Sequence, residues 1–224
     1  MKLSSKSKRD DEPKVLSGPW GKVVVFTASV LWLVAVGVGL RILWSYENTP
    51  GVTARPPVFW PTDSPIQPDK DRLTLVMLVH PQCPCSRAAI GELALIMAQG
   101  QERLTANVLF LKPIPFSENW EKTDLWQKAA SIPGVNVMVD EGGREALRFN
   151  AVTSGQTVLY DEKGRLQFSG GITSSRGHSG DNVGRSAIVS MVNGLTQDRA
   201  HSFVFGCPLF DENSECRKTE YESK

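Results

Sequence analysis

Two thiols separated by one residue stand in the stretch His80-Pro81-Gln82-Cys83-Pro84-Cys85-Ser86-Arg87. An apolar run precedes them and a helical pattern follows. A cysteine at such a junction faces the unsatisfied N–H groups and positive dipole end of the helix, and both lower a thiol's pKa. Pro84 suits a first helical turn, where its missing N–H has no partner to lose. Arg87 adds positive charge within one turn. Cys83 and Cys85 are therefore candidate reactive thiols.

Two further cysteines, Cys207 and Cys216, lie in the C-terminal stretch VFGCPLFDENSEC. They fit a structural bridge closing a small loop, and as a sharper alternative Cys207 fits a relay partner that folds back near the C-P-C motif. Four cysteines allow three pairings, and spacing does not choose among them. A second polar cluster runs from Gly170 to Asn182. Arg176, His178 and Asp181 within it suit an anionic ligand or assistance to proton transfer. The same stretch also reads as a Gly-rich connection in which Asp181 or Asn182 caps a helix.

The elements that position these residues follow from periodicity. Leu73 to His80 is a continuous apolar run, as in a strand buried on both faces. Cys85 to Gln99 carries apolar residues at helical spacing. Leu104–Leu111 and Val135–Val139 read as strands, Trp120–Ser131 and Arg144–Phe149 as helices. Thr157–Tyr160 and Arg165–Phe168 form a hairpin over the turn Asp161-Glu162-Lys163-Gly164, and Ala187–Leu195 closes with a helix. The order implies an α/β sandwich with central parallel pairs and one antiparallel hairpin at the edge.

Ahead of this domain, Val23 to Leu40 holds eighteen residues without a charge, and Trp20 and Trp44 flank the segment. The 23–44 stretch spans ~30 Å as a helix, the hydrocarbon thickness of a bilayer. A cleavable signal peptide shares this pattern, but the only small-x-small site, Ala35-Val36-Gly37, lies inside the apolar run. Six Lys/Arg precede the segment and only Arg55 and Lys70 occur over 45–71, which places the N-terminus in the cytoplasm. The expected organisation is a basic tail (1–22), an anchor (23–44), a Pro-rich spacer (45–70), a folded domain (71–195) and a Cys-containing extension (196–224). The domain then faces an extracytoplasmic, disulfide-permissive space across an inner membrane.

The balance of 25 Lys+Arg against 24 Asp+Glu excludes a global basic field for nucleic acid. No P-loop, G-x-G-x-x-G, H-E-x-x-H or haem-attachment motif occurs.

The segment from Asn136 to Thr173 (NVMVDEGGREALRFNAVTSGQTVLYDEKGRLQFSGGIT) resembles the second half of membrane-tethered thiol-disulfide proteins of the TlpA/ResA type, in the thioredoxin-like superfamily, with Asp140, Asp161 and Gly164 at matching positions. HPQCPCSRA, FSGGITSSRGHSGDN and VFGCPL further resemble the RedB group of bacterial membrane-anchored proteins. The similarity covers about residues 71–210. It implies a thioredoxin-like sandwich, a central mixed sheet flanked by helices, and thiol-disulfide exchange with a protein thiol or disulfide and a redox partner, without a cofactor.

The family motif is C-x-x-C, one residue longer than C-P-C. Counting from the strand makes Cys83 the attacking thiol and Cys85 the resolving one, whereas counting from Pro84-Cys85 puts Gln82 at the nucleophile position. A bridge between residues two apart is tight, hence strained and comparatively oxidising. Where the family places a cis-proline, this chain has Gly155 after Ser154. That departure leaves two alternatives to catalysis: a metallochaperone holding copper through His80, Cys83, Cys85 and Cys207, and a non-catalytic adaptor.

Overall fold

A computed structural model describes residues 18–52, 54–100, 102–114, 116–195 and 201–210. The first element, α1 (Pro19–Asn48), is long and apolar enough to cross a membrane, with a mean hydropathy of 2.4 over its most apolar window. The second compact unit starts at Tyr46. It contains β1 (Leu73–Val79), α2 (Ser86–Gly100), β2 (Leu104–Lys112), α3 (Asp124–Ala130), β3 (Val135–Glu141), α4 (Arg144–Arg148), β4 (Gln156–Tyr160), β5 (Leu166–Gly170) and α5 (Val183–Val192).

The five strands form one sheet in the order β3-β2-β1-β4-β5. The β1–β2 and β2–β3 pairs are parallel, while β4 runs antiparallel to both β1 and β5. This is the mixed sheet expected from the sequence. β1 is central, and alternation along it feeds two cores. Leu75, Met77 and Val79 join α2, α3 and α5 on one face. Val76 and Leu78 join Trp60, Phe149 and Tyr160 on the other.

Helix starts differ from the periodicity reading for local reasons. α3 begins at Asp124, because Thr123 holds an extended backbone as its N-cap. α5 begins a turn earlier than expected, at Val183, because the Asn182 side chain accepts the Arg185 N–H at 2.7 Å.

The Pro-rich stretch does not stand off as a spacer. Trp60 is buried edge-on against Phe149 and Tyr160, with ring centroids 5.2 and 5.1 Å away. Its backbone N–H donates to Gly164, the Leu166 N–H donates to Val58, and the Tyr160 hydroxyl donates to the Pro57 carbonyl. Prolines tolerate this course because an edge leaves N–H groups unneeded. The folded unit therefore begins well before Asp71.

Candidate functional site

β1 ends at Val79 and α2 starts at Ser86, so six residues turn the chain from sheet to helix. Two tight turns do this. The Cys83 N–H donates to the His80 carbonyl at 3.0 Å, and the Ser86 N–H to the Cys83 carbonyl at 3.1 Å. Both thiols are held inside, with Cys83 1% and Cys85 6% exposed.

β4 is antiparallel to β1 and pairs Gln156 with Leu78, so the loop entering β4 meets the chain where β1 gives way to the motif. Gly155 makes that entry at φ +88°, a region glycine alone adopts freely, and donates its N–H to the Leu78 carbonyl at 2.7 Å. The contact with the motif itself belongs to Ser154. Its hydroxyl oxygen accepts the His80 N–H at 2.7 Å and lies 2.8 Å from the Ser86 hydroxyl. Ser86 in turn donates to the Cys83 sulfur. With the Ser86 proton so directed, Ser154 is the donor to Ser86. A buried chain of donors thus runs from the His80 backbone through two serines to Cys83.

The segment 201–210 brings in the third sulfur. It has little regular structure and is held by backbone bonds: Ser202 N–H to Ser169, Gly51 N–H to Val204, Ser154 N–H to Cys207 at 2.8 Å, and Leu209 N–H to Val152 at 2.9 Å. The approach is close enough to require glycine. A Cβ on Gly206 would lie 1.9 Å from the Ser154 carbonyl oxygen, and one on Gly171 would lie 2.6 Å from that of Phe203. Arg176 fixes the same point from the other side, donating to the Gly206 carbonyl at 2.5 Å.

As a result the Sγ atoms of Cys83, Cys85 and Cys207 all lie within 4.8 Å of one another. Their electrostatics differ. Burial opposes ionisation of Cys83, but donation from the Cys207 N–H, the Ser86 hydroxyl, the Cys207 thiol and the Ser86 N–H outweighs it and holds the thiol below its ordinary pKa. Burial and the neighbouring Cys83 charge push Cys85 up, against the pull of the Arg176 guanidinium. Burial, with Cys83 and Cys85 beside it, pushes Cys207 up to about 12. Of the three sulfurs, Cys83 is the one whose ionisation its surroundings favour, while those of Cys85 and Cys207 favour the thiol.

The other residues anticipated from the sequence are distributed unevenly. Arg176 is at the site. Arg87 does not supply the motif's charge: it pairs with exposed Asp124 at 2.6 Å. His80 is outside the three-sulfur group, its Nδ1 accepting the Gln82 N–H and its ring edge-on to Trp120 at 5.7 Å. Asp181 pairs with Arg185 at the start of α5, and His178 is exposed in the preceding loop. Cys216 lies outside the described residues. Periodicity and motif spacing do not single out Ser86 or Gly206, and they point to Gly155 rather than to Ser154. A usable signal existed in the recurrence of Cys-Pro at 83–84 and 207–208.

No protein-family model and no curated protein matches the chain. Among solved structures it is similar to an uncharacterised conserved protein of Geobacillus kaustophilus, with 16% identity and a TM-score of 0.54 over 75% of this chain and 95% of that one. It is also similar to a hypothetical protein of Sinorhizobium meliloti 1021, with 18% identity and a TM-score of 0.52 over 72% and 93%. A looser likeness, at 14% identity and a TM-score of 0.40 over 56% and 83%, is to a secreted disulfide oxidoreductase of Mycobacterium tuberculosis. The fold is thioredoxin-like. Its strand order and the placement of a Cys motif between β1 and α2 carry that description.

Proposed function

We propose that this chain is a membrane-anchored thiol-disulfide oxidoreductase, of the kind its RedB-like motifs suggest, with Cys83 as the attacking thiol. The observation that carries the reading is the clustering of three cysteine sulfurs within 4.8 Å of one another at the junction of β1 and α2, with hydrogen-bond donors converging on Cys83. A nucleophile needs a thiolate near neutral pH, and only Cys83 has the donors to hold one. α1 serves as the anchor, its basic N-terminal side in the cytoplasm, and the domain works in an extracytoplasmic space where disulfides persist. The substrate is a protein disulfide or dithiol, and a second membrane or extracytoplasmic redox protein resets the site.

The full chain in detergent, equilibrated in dithiothreitol or glutathione redox buffers, should show a reversible two-electron transition that Cys83→Ser abolishes. Absence of any transition, together with a stoichiometric soft metal in the wild type, would overturn the reading.

The same three sulfurs support a second reading. Three thiolates at this spacing make a donor set for a soft cation such as copper(I), without His80. Metal uptake would release the protons that Cys85 and Cys207 hold.

A further inference from the structure

We infer that Cys207, on the C-terminal segment, is the resolving thiol for Cys83, so that oxidation closes a Cys83–Cys207 disulfide across 124 residues of chain rather than the two-apart bridge within the motif. This rests on the redox reading above. The geometry carries it. The Cys207 and Cys83 Sγ atoms lie within 4.8 Å of each other, and the Cys207 N–H and thiol are turned toward the Cys83 sulfur. The Cys207 carbonyl is anchored on Ser154 and the preceding carbonyl on Arg176, which fixes the approach from both sides of the peptide. Cys85 shares one short turn with Cys83, and a bridge there carries the strain of a small ring.

The exchange balances as follows. The Cys83 thiolate attacks one sulfur of a substrate disulfide, forming a mixed disulfide and expelling the other substrate sulfur as a thiolate, which takes a proton from water. The Cys207 thiol then loses its proton to solvent or to the departing thiolate. Its sulfur attacks the Cys83 sulfur, the Cys83–Cys207 bond forms, and the second substrate thiolate leaves. The substrate disulfide gains two electrons and the Cys83/Cys207 pair gives them up. Arg176 is a positioning residue in this scheme: it holds the Gly206 carbonyl.

The test is disulfide mapping of the full wild-type chain in detergent, oxidised with trans-4,5-dihydroxy-1,2-dithiane, alkylated in acid and digested for mass spectrometry. A peptide containing Cys83 should be linked to one containing Cys207. Closing so long a loop constrains the unfolded chain strongly, so the oxidised protein should melt on the order of 10 °C above the reduced one. That increment should survive Cys85→Ser and vanish in Cys207→Ser. A Cys83–Cys85 bridge within one peptide, or a Cys207–Cys216 link, would overturn the inference and leave the redox reading standing. No disulfide at Cys83 under any condition would overturn both.

Discussion

Cys83 and Cys85 are set by one strand end and one helix start, all within 80–86, while Cys207 is carried in by a segment held at scattered backbone points on the linker, β5 and the loop before β4. The first arrangement is local: a buried strand, a proline and a helix terminus suffice. The second is wholly tertiary, and depends on side chains being absent where backbones meet. A site built of both halves has one locally fixed thiol, Cys83, and one, Cys207, that depends on distant contacts. Damage to the tail should leave Cys83 buried at its junction but strip it of two of its donors.

That contrast is most directly broken at Gly206. Gly206→Ala puts a Cβ against the Ser154 carbonyl, and should cost about 1–3 kcal/mol in urea denaturation. Alkylation rates against pH should show the Cys83 pKa moving up, toward an ordinary thiol. Unchanged stability and an unchanged Cys83 profile would mean that the tail contributes nothing to the surroundings of Cys83.

Ser154 joins the two halves, and Ser154→Ala should cost about 1–2 kcal/mol by removing the acceptor of the His80 N–H and the donor to Ser86. The effect is expected to be smaller than at Gly206, with Cys83 reactivity moving in the same direction.

The halves should also respond to pH with opposite signs. Cys83 has a folded pKa below the ordinary thiol value of 9.0, so its stabilisation is fully present above 9.0 and fades as pH falls through the lowered value. Cys207 is raised to about 12, so its stabilisation is fully present below 9.0 and fades as pH rises from there toward 12. Thermal denaturation of the reduced chain between pH 7 and pH 11 should accordingly lose a declining component in Cys207→Ser. A parallel decline in both proteins would contradict the assignment. The smallest effect is expected from Arg87→Ala. The Arg87–Asp124 pair is about half exposed on both sides, and its loss should change stability by under about 1 kcal/mol and leave the Cys83 pH profile where it was.

The local half was the legible one. The run LTLVMLV announced a strand buried on both faces, and the structure splits its alternate residues between two cores. Asp161 and Gly164 announced a hairpin, and Asp161 accepts the N–H groups of Lys163 and Arg165 there. Pro84 before a helical pattern located the junction. What periodicity misses is contact across distance. Six prolines over 45–70 suggest a stiff spacer, yet a single buried Trp60 draws that stretch onto the domain. Arg87 was the obvious cation by spacing. Arg176, ninety-one residues beyond Cys85, is the one that reaches it, because the β5–α5 loop folds back over the motif. Ser154 looked like the neighbour of an odd glycine, since nothing in sequence says which of two adjacent residues points inward.

The need for a bare backbone at Gly206 also defines what to look for in other chains. A C-P-C motif alone supplies only two of the three sulfurs. A glycine immediately before a distant Cys-Pro, with an arginine about thirty residues ahead of it and a Gly-Gly pair just before the arginine, is the combination that lets a third sulfur reach the first two. Genomes searched with that spacing rule should yield chains that build the same centre, including ones whose overall identity is too low for conventional recognition.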